Sequence, residues 1–96
     1  MIEINNADLT KEIAQLIIDT LNIEHVTADQ VNIETPLFSD ENELELDSVD
    51  AIEIVVAIQR SYGIRINSEL PTREILNSIQ SIADFLVKEN AVKKIA

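Results

Sequence analysis

Leu44-Glu45-Leu46-Asp47-Ser48-Val49-Asp50-Ala51-Ile52-Glu53 is the stretch on which the reading of this chain turns. It puts a hydroxyl, Ser48, where a helix is expected to begin, in a frame of carboxylates at Glu43, Glu45, Asp47, Asp50 and Glu53. The expected helix runs from Ser48 to Tyr62. It ends on Gly63, the one glycine of the chain, which fits a left-handed C-terminal cap with Ile64 placed for the accompanying apolar contact. Val49, Ile52, Ile54, Val55, Val56 and Ile58 are β-branched and lean towards strand. The apolar pattern nevertheless persists for about fifteen residues, and that length decides for helix. Apolar residues cover much of its circumference, so it is expected to be the most buried helix of the chain.

On the N-terminal side, Leu9, Ile13, Leu16, Ile17 and Leu21 recur at helical spacing, with Asn5 or Asn6 to cap the start and Asn22 to close it. Residues 23–46 then form a long connection. Thr27-Ala28-Asp29-Gln30 within it fits a capping box and predicts one short helical turn. Pro36-Leu37-Phe38 reads as an anchor of this loop to the core. Past Gly63, Ile64-Arg65-Ile66 is a short extended link, and Pro71 fits the first turn of a short helix near Thr72 to Leu76. Asn77-Ser78-Ile79-Gln80 is a second capping box. It opens a last helix with Ile79, Ile82, Phe85 and Leu86 on one face and Lys88, Lys93 and Lys94 placed to complement its dipole. Tyr62 and Phe85 read as packing residues. The expectation is an all-α fold: one domain, residues 1–96, built as a small bundle of three main helices and a short one.

Ninety-six residues with 46% hydrophobic and only 3% aromatic side chains imply a core of Ile, Leu and Val. The net charge is −11, and no Lys or Arg occurs from Glu12 to Gln59, a stretch holding twelve acids. Nucleic-acid backbones and anionic membrane surfaces are disfavoured by that charge, and basic protein partners are favoured. There is no cysteine, hence no disulfide, thiolate or Cys-based metal site. The N-terminus has no basic and apolar signal regions, and the longest apolar run, Ile54 to Ile58, is too short for a membrane span. A soluble, cytoplasmic monomer without membrane insertion is expected.

Ser48 makes a poor nucleophile in this setting. No Gly-x-Ser-x-Gly elbow surrounds it, and the one candidate base, His25, sits in a distant acidic loop where it reads as a solvated residue. Chance pairing of carboxylates is common among eighteen acids, so no general acid/base pair stands out. Asp40-Glu41-Asn42-Glu43 looks superficially like a calcium loop, but the positions that need Gly and Glu hold Glu45 and Ala51. No catalytic residue and no metal site is assigned. A serine in this position is otherwise a plain cap or first-turn residue, and an acidic run a solvated surface.

Pro36-Leu37-Phe38, then Leu44 to Glu53, then Tyr62-Gly63-Ile64-Arg65-Ile66 together resemble the acyl carrier protein family, and the order of the helices agrees over nearly the whole chain. The resemblance implies that Ser48 carries a 4′-phosphopantetheine arm, added from coenzyme A by a phosphopantetheinyl transferase, with acyl groups held on the arm as thioesters. It implies a carrier and no enzyme. Asp47, Asp50 and Glu53 become the docking residues for acyl-loading, condensing or acyltransferase enzymes with basic patches. Ile52, Val55, Val56, Ile58, Ile66 and Leu76 become the lining of an acyl pocket. A phosphate on Ser48 is expected to lie on free amides of the helix start. Four departures from the commonest family pattern point to a specialised fatty-acid, lipid or polyketide-type pathway. These are Val49 after the serine, Glu45 before it, the acidic insert 40–43, and Gln59-Arg60 late in the helix. An aminoacyl or peptidyl carrier is the alternative cargo reading, though −11 is acidic for one. A cofactor-free adaptor for a basic partner is the alternative function.

Overall fold

The apolar face Leu9, Ile13, Leu16, Ile17 and Leu21 folds into α1 (Asn6–Leu21) in the computed structural model, which describes residues 2–39, 46–66 and 72–94. Leu9, Ile13 and Ile17 are buried, while Leu16 and Leu21 pack half-buried at the edge of the core. The Asn5 side chain accepts the amide proton of Asp8 at 2.8 Å and so supplies the N-cap. Asn22 closes the helix in a left-handed conformation (φ 53°), which its short polar side chain tolerates. The expected turn forms at Ala28–Gln30 as a single 3-10 turn, with the Gln30 amide oxygen accepting the proton of Thr27 N at 2.9 Å.

The second helix, α2, spans Ser48–Tyr62 and ends on Gly63 (φ 64°), as expected, with Gly63 N donating to Gln59 O at 3.0 Å. It is not the most buried helix. Ile54 and Ile58 are fully buried, but Val49 and Ile52 are 66% and 68% exposed and Val56 is exposed as well. Its many apolar residues encircle the helix, whereas α1 covers only one side of it. α1 and α4 hold more of the core. The short α3 (Thr72–Ile75) follows, and Pro71, expected to open it, lies outside the described residues.

α4 (Ile79–Lys88) buries Ile79, Ile82, Ala83, Phe85 and Leu86 against α1. Its cap lies one residue later than the sequence suggested. Ser78 Oγ accepts from Ser81 N at 3.1 Å and Ser78 N donates to Ser81 Oγ at 2.8 Å. Gln80, expected to close the box, instead exchanges amide hydrogen bonds with Asn6 at 3.0 Å and so joins the starts of α1 and α4. Only Lys88 of the three expected lysines sits in the last turn of α4. Lys93 and Lys94 belong to β2 (Val92–Lys94), which pairs in parallel with β1 (Ile2–Ile4), Glu3 opposite Lys93. This two-stranded sheet is an addition to the helical bundle that the sequence did not announce. The chain turns into β2 through Asn90 (φ 59°), and the buried Val92 seats the strand on the core.

One polar bond ties the end of α2 to α1: Tyr62 Oη donates to Glu12 Oε1 at 2.8 Å. Burial, then the hydrogen bond to the Glu12 carboxylate and its charge, push the Tyr62 phenol above its ordinary range. A raised phenol favours the folded state while it is protonated. That contribution is complete below the unfolded value of about 10 and is lost as pH rises towards and through the folded value. Tyr62→Phe is therefore expected to lower stability by about 1 kcal/mol or less at neutral pH. It is also expected to lose stability less steeply than wild type above pH about 10, as read from urea midpoints across the alkaline range. At Gly63 a Cβ would meet no atom within 4 Å, so Gly63→Ala isolates the backbone cost of positive φ. A loss of about 1 kcal/mol in the same assay is expected.

Candidate functional site

The start of α2 is built by two carboxylates. Asp47 is extended, and its Oδ1 accepts from Val49 N at 3.0 Å and Asp50 N at 3.2 Å. Asp50 Oδ2 reaches back to accept from Asp47 N at 3.1 Å. Asp47 is thus the cap and Ser48 the first helical residue. This corrects one expectation. Free amides were expected at the helix start, but those of Val49 and Asp50 are already held by Asp47.

Beside this turn lies an open, mostly apolar groove of about 560 Å³. Pro36, Phe38 and Ser39 of the loop form one wall, Ala51 of α2 another, and Thr72, Arg73, Leu76 and Asn77 the floor and far rim. The loop is held there by Leu37, whose side chain is fully buried, a contribution of about 1.5–3 kcal/mol. Its amide donates to Asn77 O at 2.8 Å, and Gln80 N donates to Ile33 O at 2.9 Å. Leu37 alone is therefore the core anchor. Phe38, read from sequence as part of it, is 39% exposed and lines the groove.

The residues expected to line an acyl pocket are dispersed. Leu76 lines the groove. Ile58 and Ile66 are buried in the core and Val55 packs half-buried against it. Ile52 and Val56 border a different, shallow groove of about 520 Å³ between α1 and α2, together with Leu16, Glu53 and Arg60. Of the expected docking acids, Asp47 and Glu53 are exposed and Asp50 is half-buried. Asp47 and Asp50 also hold the helix start, so exchanging them disturbs more than surface charge. Gln59 serves the fold, since its Oε1 accepts from Ile66 N at 2.8 Å and fixes the link after α2. Arg60 is exposed. His25 lies exposed in the loop after α1. Among the described residues no group of His, Asp and Glu is arranged to hold a metal ion. The acidic insert 40–43 and Glu45 lie outside the described residues.

Sequence reasoning missed Ala51, Thr72, Arg73 and Asn77 as groove residues. Ala51 carried a signal, because residues three apart are neighbours on a helix surface and it follows Ser48 by that spacing. The others come from a segment whose approach to the loop rests on two long-range backbone bonds that leave no local pattern.

The chain matches the family described as "Phosphopantetheine attachment site" over residues 11–86, a span that contains α2, α3, nearly all of α4 and most of α1. It is 31% identical to the acyl carrier protein AcpXL of Mesorhizobium japonicum, over 88% of this chain and 84% of that one. It is also 31% identical to the acyl carrier protein AcpXL of Rhizobium etli, over 88% and 85%. An acyl carrier protein of Rubrobacter xylanophilus is 27% identical, over 69% of this chain and 84% of its own. No described helix is long and apolar enough to cross a membrane. The helical bundle, the groove beside the start of α2 and these likenesses converge: the chain belongs to the acyl carrier protein family and is an acyl carrier that works through a covalently attached 4′-phosphopantetheine arm.

Proposed function

We propose that Ser48 bears the arm and that the chain carries acyl intermediates for a specialised fatty-acid, lipid or polyketide-type pathway, as a soluble cytoplasmic monomer of a single domain. The observation that carries this reading is the company Ser48 keeps. It is the first residue of α2, within the matched span, one turn before the Ala51 that lines the groove. The residues present fit the group. The groove beside the helix start offers Pro36, Phe38, Ala51 and Leu76 as an apolar surface for an arm or its cargo, and it is open to solvent for entry and exit.

When bound, the arm supplies a terminal thiol on which an acyl group is held as a thioester. The chain's own residues bind, shelter and present. The groove is the acyl shelter, with Leu76 the member of the expected lining that borders it. In this reading the chain is no catalyst, since acids, bases and nucleophiles for each transfer belong to the partner enzymes. Tethering makes each encounter with a docked partner quasi-intramolecular, which raises the effective concentration of the cargo. Partners are a phosphopantetheinyl transferase and acyl-loading, condensing or acyltransferase enzymes with basic patches. Asp47, Asp50 and Glu53 attract those patches, and the exposed Val49 and Ile52 add apolar contact. Arg60, a cation at the far end of the same helix, sets this carrier apart and argues for dedicated partners.

Incubation with coenzyme A and a broad-specificity phosphopantetheinyl transferase is expected to raise the intact mass of wild type by one arm and to leave Ser48→Ala unchanged. A gain that survives in Ser48→Ala would move the attachment point elsewhere. Docking is tested best at Glu53, which is exposed and outside the Asp47–Asp50 box. Glu53→Lys is expected to slow the modification several-fold in low salt, with the difference closing at about 1 M salt, where the screening length is about 3 Å. Equal rates in low salt remove Glu53 from the docking surface.

A further inference from the structure

A phosphodiester on Ser48 would be an anion in a hostile setting. Asp47 precedes it and Asp50 follows it within the same turn. The amides of Val49 and Asp50 are held by the Asp47 carboxylate at 3.0 and 3.2 Å, so two of the donors of the helix start are already engaged. Along α2 the first cation is Arg60, twelve residues on and about 18 Å away along the axis at 1.5 Å per residue. Elsewhere, Lys11 is engaged with Asp29 at 3.0 Å and Lys93 faces Glu3 at 3.8 Å, while Arg65 and Lys88 are exposed but line no part of the groove.

Arg73 is different. It sits on α3, and it lines the same groove as Ala51, the residue one turn beyond Ser48. It is exposed, and among the described residues no ion pair engages it. A guanidinium suits a phosphate because its planar fork of donors matches two phosphate oxygens at once. Against the apolar flank of Phe38, Pro36 and Leu76 such a pair is screened less than on an open surface.

We infer that Arg73 is the counter-charge for the phosphodiester on Ser48 and holds the root of the arm at the mouth of the groove. The inference rests on Ser48 as the attachment point. Arg73 is a positioning residue in this arrangement. It anchors the arm's first atoms across the groove from α2, so that the remainder of the arm starts along the apolar wall and not along the acidic face of Asp47, Asp50 and Glu53.

The test uses the full-length holo-protein, with loading of every sample established by intact mass, and reads the phosphate directly by 31P NMR. In low salt, Arg73→Gln is expected to displace the 31P resonance by more than its linewidth, and Arg73→Lys is expected to lie nearer wild type. At about 1 M salt, wild type is expected to move to the Arg73→Gln position. The Arg73 Nε–H resonance of wild type is expected to shift between apo and holo forms, a change that a purely structural role of Arg73 does not produce. Thermal melts of the apo variants close to wild type show that the fold is kept. One 31P position shared by all three proteins and insensitive to salt overturns the contact, as does an Nε–H unmoved by loading. Absence of the mass gain at Ser48 overturns the attachment reading instead, so the two failures are told apart before any NMR spectrum is recorded.

Discussion

The Asp47 carboxylate, by taking the amide protons of Val49 and Asp50 while Asp50 takes that of Asp47, fixes where α2 begins, and the rest of the site follows from that register. With the helix started at Ser48, Ala51 falls towards the loop and the groove, Ile54 and Ile58 fall into the core, and Val49 and Ile52 fall outside. Two negative side chains at a helix N-terminus are also favourable against the helix dipole, which offsets their proximity to one another. The same interaction occupies the amides of Asp47, Val49 and Asp50, three of the donors that a helix start offers an anion.

Where a feature depends on local chemistry, the sequence disclosed it. Asn5, Asn22, Thr27 and Gly63 end or begin their elements as their side chains and positive φ angles require. The capping of α4 was misread by one residue because Asn77 and Gln80 have the right chemistry but other partners: Asn77 O is taken by Leu37 and the Gln80 amide by Asn6. Three-residue strands are too short to show an alternation, and the β1–β2 pairing joins the two ends of the described chain, so no window of sequence contained it. The burial of α2 was overestimated for a related reason. Composition reports how many apolar residues a helix has, whereas burial depends on how many neighbours cover it, and α3 is only four residues long. Of the residues expected to line a pocket, only Leu76 borders the groove, because the others were chosen by apolar character and not by which elements meet there.

Two of the residues that distinguish the late part of α2 separate once their surroundings are known. Gln59 is committed to the backbone of Ile66 and so explains itself structurally: a carboxylate there could accept the same proton, but the neutral amide does so without adding charge to an already acidic helix. Arg60 is exposed at the rim of the shallow α1–α2 groove beside Ala57 and Ser61. The charge of α2 therefore changes sign along its length, from Asp50 and Glu53 in the first turns to Arg60 near the last. A partner complementary to the whole helix must change sign as well, which is a stricter requirement than a uniformly basic patch.

The groove has walls that belong to differently anchored parts of the molecule. The loop from Ile33 to Ser39 is tied to the α3–α4 turn through Leu37 N with Asn77 O and Gln80 N with Ile33 O, so Pro36, Phe38, Leu76 and Asn77 sit on mutually bonded pieces of chain. Ala51 sits on α2, which packs chiefly on α1 through Ile54 and Ile58 further along. The two backbone bonds and the α1–α4 packing thus lie on one side of the groove and the α1–α2 packing on the other. Arg73 belongs to the loop-bound side and the capping box to the other. The proposed charge pair between a phosphodiester on Ser48 and Arg73 would join these two differently anchored sides of the groove, which makes its strength sensitive to how firmly each side is held.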